Sequence, residues 1–275
     1  MPELPETETI ARDLDRALRG RAITEVVVRK ADVLREVTTT MLRRRVTGAE
    51  ITRAWRRAKC VVLDLSSGDR IVVQPRFTGA LLLSAGPLPE REASYSTLHF
   101  VLDDGRDLHY RDIRRLGTVA LMSPERFDEY AGALGVEPLD PAFTAAHLSV
   151  LLRGSKQALK KVLMDQRMVV GIGNIYANEA CWRAGVDPSR AARDLNDDEI
   201  QRLQEGIISV LTESIAERGT SFRDYVDASG GKGGFERLLA VYGRGGEPCP
   251  RCGARLIETH AIDGRTTVLC ARCQR

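Results

Sequence analysis

The chain has 275 residues, of which 43% are hydrophobic and 29% are charged, which excludes a disordered protein and allows two ordinary hydrophobic cores. It has no run of about eighteen uninterrupted apolar residues and no basic-then-apolar signal pattern at its start, so we expect a cytoplasmic protein without a membrane partner. The 41 Lys and Arg against 38 Asp and Glu give a net charge of only +3, which is weak evidence for a polyanionic partner.

The N-terminus is the first candidate site. The chain opens Met1-Pro2-Glu3-Leu4-Pro5-Glu6, and removal of Met1 would leave Pro2 with a secondary α-amine. An α-amino group has a pKa near ~8, so an appreciable fraction is unprotonated at neutral pH. Such an amine can form a Schiff base with a carbonyl-like carbon. From these residues alone, a simple lead-in to a helix is the stronger interpretation.

A helix and a β-rich region follow. Residues 5–19 predict an amphipathic helix that ends at Gly20, because Ile10, Leu14 and Leu18 share one side. Turn signals then separate many short β-rich runs into hairpins, a spacing that indicates a β-sandwich carrying the N-terminal helix. The predicted strands are 22–28, 60–65, 71–74, 81–83, 98–102, 108–110 and 118–122.

The second half of the chain predicts helices. Apolar residues recur at helical spacing over 147–163 and 175–184, and Asn196 with Glu199 resembles a capping box for a long helix. The turn Gly171-Ile172-Gly173 before the second helix could present N–H groups to a phosphate, or could be only a tight turn. A Gly-rich segment at 229–234 predicts a loop.

The six cysteines fall into two groups. Four have the spacing Cys249-x-x-Cys252 and Cys270-x-x-Cys273, which predicts one structural Zn²⁺ held by four thiolates. Disulfides are the alternative, but a cytoplasm keeps thiols reduced. Cys60 and Cys181 stand alone, and small buried hydrophobes are the favoured interpretation for both.

Five further motifs occur along the chain besides the four cysteines. They are Pro2-Glu3-Leu4-Pro5-Glu6-Thr7-Glu8-Thr9, Arg56-Arg57-Ala58-Lys59, Asp112-Ile113-Arg114-Arg115-Leu116-Gly117, Leu163-Met164-Asp165-Gln166 with 170–179, and Val241-Tyr242-Gly243-Arg244. Together these motifs resemble the formamidopyrimidine-DNA glycosylase family, which includes endonuclease VIII. They occur in family order, span nearly the whole chain and make the N-terminal amine the expected nucleophile.

The resemblance implies an α+β fold, with an N-terminal helix plus two-layer β-sandwich followed by a helix-two-turns-helix domain and a zinc β-hairpin. The expected parts are a catalytic domain at 1–130, a linker at 131–145, the helical domain at 146–242 and the zinc hairpin at 243–275. The implied activity is that of a bifunctional DNA glycosylase and abasic-site lyase of base excision repair. It would remove oxidised purines, such as 8-oxoguanine and formamidopyrimidines, through a proline Schiff base and β,δ-elimination. The expected partner is double-stranded DNA with oxidised bases or abasic sites, bound by a nucleoid-associated monomer.

The resemblance also assigns catalytic roles. Pro2 is the expected nucleophile and Glu3 the general acid and base, with assistance from Glu6 and Lys59. Other interpretations exist for the last three residues. Glu3 could be only a partner of the helix dipole, Glu6 could merely cap the first helical turn, and Lys59 could lie on a solvated edge.

Further residues are expected to bind DNA. The resemblance implies phosphate contacts from Lys160, Asn174 and Arg265, while Tyr176 either contacts DNA or packs in the core. Lys232 lies in the Gly-rich loop that would close over an everted oxidised purine.

The chain departs from the family pattern at the side chains expected to fill the gap left by the flipped nucleotide. Family members commonly use Met, Arg and Phe, whereas the corresponding residues here are Phe77, Arg114 and Leu116. Phe77 could alternatively belong to the core. The preceding stretch, Gln74-Pro75-Arg76, also differs from the usual pattern, so recognition of the opposite base stays open.

Two alternative functions remain at this point. An endonuclease VIII-like enzyme acting on oxidised pyrimidines would share Pro2 and Glu3, although the Leu4-Pro5 opening and the Gly-rich loop disfavour it. A non-catalytic zinc protein that only recognises lesions is the other alternative, and intact Pro2 and Glu3 argue against it.

Overall fold

The computed structural model describes residues 2–222 and 225–275, and its contacts divide the chain into two compact units. Unit 1 comprises Met1–Gly132 and Glu217–Glu236, and unit 2 comprises Ala133–Ala216 and Arg237–Arg275. Within the described ranges, no helix is long and apolar enough to cross a membrane. The four-part division predicted from the sequence stays a prediction, and the contacts add that the Gly-rich segment packs with unit 1.

Unit 1 is built on β-strands that form two layers. The strands follow the order β2-β9-β5-β4-β3-β1-β7-β8-β6, and β1 pairs with β3 through its first two residues and with β7 through the rest. Strand β1 therefore belongs to both layers of the expected β-sandwich. The elements are α1 (Leu4–Leu18), β1 (Arg21–Val28), β2 (Leu34–Arg35), α2 (Thr39–Val46), β3 (Glu50–Arg57), β4 (Cys60–Leu65), β5 (Arg70–Gln74), β6 (Gly79–Ser84), α3 (Glu90–Tyr95), β7 (Ser96–Leu102), β8 (Asp107–Asp112), β9 (Thr118–Met122) and α4 (Pro124–Gly132).

Helix α1 covers the core of the sandwich. Ile10, Leu14 and Leu18 have no exposed surface and pack in one apolar cluster with side chains of the strands. Burying one such side chain stabilises the fold by about 1.5–3 kcal/mol. Tyr225 and Ala228 belong to the same cluster, which explains why the segment before the Gly-rich loop packs with unit 1.

Unit 2 is helical and ends in a short hairpin. Every strand and helix segment predicted from the sequence is present, but 147–163 forms two helices rather than one. Residues 154–158 instead pair with 191–193, where the N–H groups of Ala192 and Arg193 donate to Gln157 and Ser155. The predicted capping box is confirmed, since Asn196 and Glu199 exchange two bonds of 2.9 Å. The elements are α5 (Ala145–Arg153), α6 (Leu159–Leu163), α7 (Asn174–Ala184), α8 (Asp197–Ala216), β10 (Ile257–Thr259) and β11 (Thr267–Leu269).

Two polar side chains of α7 hold the C-terminal hairpin. The buried carboxylate of Glu179 accepts the backbone N–H groups of residues 240–242 at 2.8–2.9 Å. The side-chain oxygen of Asn178 accepts the N–H of Val268 in β11 at 2.8 Å. Burial raises the pKa of Glu179, and the three N–H groups oppose that shift. Helix α7 therefore fixes both the entry to the hairpin and its last strand.

We predict a graded loss of stability when Glu179 is replaced. Glu179→Gln keeps one acceptor, whereas Glu179→Ala leaves three backbone N–H groups without their carboxylate, at a cost of roughly 3 kcal/mol. The midpoint of thermal unfolding, measured by calorimetry on the zinc-bound protein, should fall by roughly 10 °C for the alanine variant. The control is Glu205→Ala, which removes an exposed carboxylate from α8. Equal midpoints for Glu179→Ala and this control would contradict the prediction.

Candidate active site and nucleic-acid interface

The predicted catalytic residues Pro2, Glu3 and Glu6 lie buried at the start of α1. One carboxylate oxygen of Glu6 accepts the N–H of Glu3 at 2.7 Å, and the other accepts the N–H of Thr220 at 2.8 Å. Glu6 therefore caps the helix, as one interpretation of the sequence had it, and also holds the segment that leads to the Gly-rich loop. Met1 lies outside the described residues, so the free amine of Pro2 stays a prediction.

Lys59 lies in the tight turn of the β3–β4 hairpin. Only Ala58 and Lys59 separate the two strands, and Ala58 has a positive φ of 53°. The guanidinium of Arg56 donates to Glu8 in α1 at 2.8 Å and to the carbonyl of Ala58 at 3.1 Å. Arg56 thus ties the turn that carries Lys59 to the helix that begins beside Pro2 and Glu3.

The three expected gap-filling side chains lie on two loops of unit 1. Phe77 follows β5 and is 45% exposed, while Leu116 lies between β8 and β9 and is 39% exposed. The guanidinium of Arg114, on the same loop as Leu116, lies 5.1 Å from the centre of the Phe77 ring. The exposure of Phe77 rules out the alternative that it is an ordinary core residue. Arg114 contacts Phe77 and shares a loop with Leu116, and we refer to these three exposed side chains as the exposed cluster.

The Gly-rich loop is held by a residue that the sequence analysis missed. The buried carboxylate of Asp227 accepts the N–H groups of Ser229 and Gly231 at 3.0 and 2.8 Å and the guanidinium of Arg218 at 2.6 Å. Burial alone would raise the pKa of Asp227, but these bonds hold it below its usual value. An aspartate just before Ser-Gly-Gly is a turn signal that could have revealed this role. Lys232 is exposed on the anchored loop.

Lys160 is not a surface phosphate ligand in this structure. Its side chain is fully buried in unit 2, and its amino group donates to the Thr266 carbonyl at 2.7 Å and to the Thr267 hydroxyl at 2.8 Å. These bonds join α6 to the C-terminal hairpin. The family resemblance had implied a phosphate contact for Lys160. A buried lysine needs hydrogen-bond partners, and only the folded hairpin supplies them.

The other expected DNA contacts of unit 2 differ in accessibility. Tyr176 is fully buried with its hydroxyl 2.6 Å from Ser214, so its side chain packs in the core, as one interpretation allowed. Asn174 is the first residue of α7, and within the described residues its side-chain oxygen is buried with no hydrogen-bond partner. Arg265 is exposed in the turn between β10 and β11. Arg265 is therefore accessible to a phosphate, the ring of Tyr176 is not, and phosphate contact by Asn174 stays a prediction.

The four clustered cysteines fit one zinc ion. Their sulfur atoms all lie within 4.8 Å of one another, and four thiolates around Zn²⁺ at about 2.3 Å would be about 3.8 Å apart. All four thiols are free of disulfide bonds, and the 3.5 Å between the sulfur atoms of Cys252 and Cys270 is far longer than a disulfide bond of about 2.05 Å. The disulfide alternative is therefore wrong, and the site holds one structural Zn²⁺.

Comparison with known proteins covers the whole chain. The family model of the formamidopyrimidine-DNA glycosylase N-terminal domain matches residues 1–119, the H2TH domain model of the same enzymes matches 134–225, and a zinc finger found in FPG and IleRS matches 246–275. The chain is 42% identical over 277 residues to formamidopyrimidine-DNA glycosylase of Carboxydothermus hydrogenoformans, with full coverage of both.

Two solved structures of the same family are similar to this chain over nearly its whole length. The chain is 34% identical to the MutM (Fpg) protein from Thermus thermophilus, with a TM-score of 0.87 and coverage of 99% of this chain and 98% of that one. It is 30% identical to wild-type Lactococcus lactis Fpg in complex with DNA containing N7-benzyl-Fapy-dG, with a TM-score of 0.92 and full coverage of both chains.

We predict that the two lone cysteines do not react with iodoacetamide in the folded protein at pH 8. Burial raises the pKa of Cys60 to about 11 and that of Cys181 to about 12, and only the thiolate is the nucleophile. Mass spectrometry of the zinc-bound protein should find neither residue labelled. After chelation the four clustered cysteines should label, while Cys60 in unit 1 stays unlabelled and serves as the internal control. Labelling of Cys60 before denaturation would contradict the prediction.

Proposed function

The chain belongs to the formamidopyrimidine-DNA glycosylase family, and from that membership we propose which of its residues carry out the reaction. The protein is a DNA glycosylase and abasic-site lyase of base excision repair, and the family name fits removal of oxidised purines. Its partner is DNA that contains damaged bases or abasic sites. Because its partner is DNA, we further propose that the protein works in association with the nucleoid.

Pro2 is the proposed nucleophile. After removal of Met1 its nitrogen attacks C1′ of the damaged nucleotide, the glycosidic bond breaks, and the base leaves with the bonding electrons and a proton. The product is an iminium ion between Pro2 and the opened sugar, and a secondary amine keeps that ion cationic because no N–H proton can be lost. The cation acidifies the C2′ proton, so the 3′ and then the 5′ phosphate leave by successive β- and δ-elimination.

Glu3 is the proposed proton carrier. It would protonate the sugar ring oxygen as the ring opens and then remove the C2′ proton, roles for a carboxyl group adjacent to the nucleophile. The observation that carries this proposal is that Glu3 lies next to Pro2 at the buried start of α1. The carboxylate of Glu6 holds this helix start, because it accepts the N–H of Glu3 with one oxygen and the N–H of Thr220 with the other. Glu6 is proposed to position these two residues. Lys59 is proposed to assist from the turn that Arg56 ties to α1.

Residues of unit 1 are proposed to assist extrusion of the target nucleotide. A glycosylase must take the damaged base out of the stack before C1′ can be reached, at a cost of a few kcal/mol. Phe77, Arg114 and Leu116 are proposed to fill the resulting gap, and their exposure on adjoining loops supports this role. Lys232 and the anchored Gly-rich loop are proposed to cover the everted base.

Phosphate binding in unit 2 is proposed for two residues. Asn174 combines an unpaired side-chain oxygen, within the described residues, with a place at the first turn of α7, where a helix favours anions. The N–H₂ group of the Asn174 side chain is the donor proposed for a phosphate oxygen. Arg265 offers a bidentate guanidinium. Lys160 is proposed to support Arg265 indirectly, because it holds the adjoining hairpin residues.

We predict that borohydride traps the protein on abasic DNA through Pro2. Reduction converts the iminium ion into a stable amine, so peptide mapping should locate the crosslink on the N-terminal peptide that begins at Pro2. A preparation that retains Met1 has the Pro2 nitrogen in a peptide bond and should give no adduct. A crosslink on a lysine, or equal trapping of the form that retains Met1, would contradict the proposed nucleophile.

A second prediction separates base removal from Schiff-base formation. Glu3→Gln should lower excision of 8-oxoguanine from duplex DNA by about 100-fold or more, because the ring oxygen loses its proton donor. Borohydride trapping on a preformed abasic site should persist, since that sugar already exposes an aldehyde. Glu25→Gln, which alters an exposed carboxylate of β1, is the control and should change neither assay. Unchanged excision by Glu3→Gln would exclude Glu3 as the proton donor.

A further inference from the structure

A buried carboxylate lies beneath the three gap-filling side chains. Asp112, the last residue of β8, is only 1% exposed. One of its oxygens accepts the Thr78 hydroxyl and the Arg114 N–H, and the other accepts the Gly117 N–H at 2.8 Å and the Tyr110 hydroxyl at 3.2 Å. Four donors therefore use both oxygens, and all four are neutral hydroxyl or backbone N–H groups.

These bonds join the two loops that carry the exposed cluster. Thr78 belongs to the loop with Phe77, whereas the Arg114 and Gly117 N–H groups belong to the loop with Leu116. The Thr78 hydroxyl also accepts the Arg114 N–H at 3.0 Å, so it bridges the carboxylate and the other loop. The side chains of Asp112 and Thr78 together fix the separation between the loops.

The backbone of both loops needs such support. Arg76 and Arg115 have positive φ angles of 52° and 51°, a conformation that non-glycine residues rarely adopt without help from their surroundings. Gly117 lies so close to Tyr110 and to the backbone of Gln74 that any larger residue would clash. A Cβ at position 117 would be 2.0 Å from the Tyr110 hydroxyl and 2.6 Å from the Gln74 carbonyl. The loops are therefore packed backbone to backbone, with Asp112 accepting the N–H groups that this packing removes from water.

We propose that Asp112 is the positioning residue that sets the geometry of Phe77, Arg114 and Leu116 for nucleotide extrusion. The proposal rests on the gap-filling role given to these side chains under the proposed function. Exposed Phe77 and Leu116 add little to the stability of the fold, so a buried four-donor carboxylate beneath them is explained better by placement of the cluster than by core packing. Asp112 touches neither the reacting atoms nor the DNA in this proposal.

Substitution by asparagine tests the need for a carboxylate. Each oxygen of Asp112 faces one backbone N–H, and a backbone N–H cannot reverse its direction, so the amide of Asp112→Asn can accept only one of the two. The loop with Leu116 therefore loses one of its two backbone bonds to residue 112 while side-chain volume is preserved. If the lost bond is that of the Arg114 N–H, this group keeps only the Thr78 hydroxyl as acceptor. Thr78→Val is the second variant, because it removes the bridging hydroxyl without changing Asp112.

The decisive comparison uses two DNA substrates. Excision of 8-oxoguanine from a duplex requires extrusion, whereas cleavage of single-stranded DNA with a preformed abasic site does not. Asp112→Asn should lower single-turnover excision from the duplex by about 100-fold, the loss typical of a displaced site, and leave single-strand cleavage within about threefold of the parent protein. Thr78→Val should lower the duplex rate by about tenfold, with the same lack of effect on the single strand. The matched control is Asp103→Asn in an exposed turn of unit 1, which should change neither rate.

Three results would overturn the proposal. An unchanged duplex rate in both variants would show that the loops do not need this anchor. Equal losses on the two substrates would make Asp112 a general structural residue. If Phe77→Ala and Leu116→Ala leave the duplex rate unchanged, the gap-filling role itself fails and the positioning role fails with it. Loss of borohydride trapping by the parent protein would instead point to failure of the proposed chemistry, since trapping does not depend on this cluster.

Discussion

Buried carboxylates that accept backbone N–H groups from loops are the interaction on which both units depend. Glu6, Asp112, Asp227 and Glu179 are almost fully buried, and each accepts at least two main-chain N–H groups. An isolated buried charge is costly, but charge-assisted bonds are roughly twice as strong as neutral ones. Each carboxylate therefore fixes the position of the backbone segment that donates to it.

In this arrangement the scaffold supplies stability and the loops carry side chains proposed to contact DNA. The sandwich strands and α1 form a core of apolar side chains, while Phe77, Arg114 and Lys232 lie on loops held at their bases by buried acids. A flexible loop would place such side chains in many positions, whereas a glycosylase must fill a gap of defined shape. In unit 2, Glu179 and Lys160 restrain the hairpin that carries Arg265, and the zinc thiolates close its base.

The sequence predicted the larger elements well because their patterns are local. Periodic apolar residues revealed α1 and α8, and turn signals revealed most strands. Strand β3 was missed because Arg53, Arg56 and Arg57 obscure its alternation, and the single helix expected over 147–163 was wrong because residues 154–158 pair with a distant segment. Lys160 was expected to contact a phosphate because of the family resemblance, and its burial was not foreseen because its partners lie more than a hundred residues away.

The sequence by itself determined the family, the zinc ligands and the identity of the expected catalytic residues, since spacing and motif order are written in the chain. The family resemblance, carried by motifs in the chain, also led us to expect the gap-filling role for Phe77, Arg114 and Leu116. Only the tertiary structure revealed which acids are buried beneath loops, that Tyr176 packs in the core and that Asp112 joins two loops. Burial and hydrogen-bond partners depend on which distant residues come into contact in the fold. The sequence alone therefore does not distinguish an aspartate exposed to water from one that is buried and accepts four hydrogen bonds.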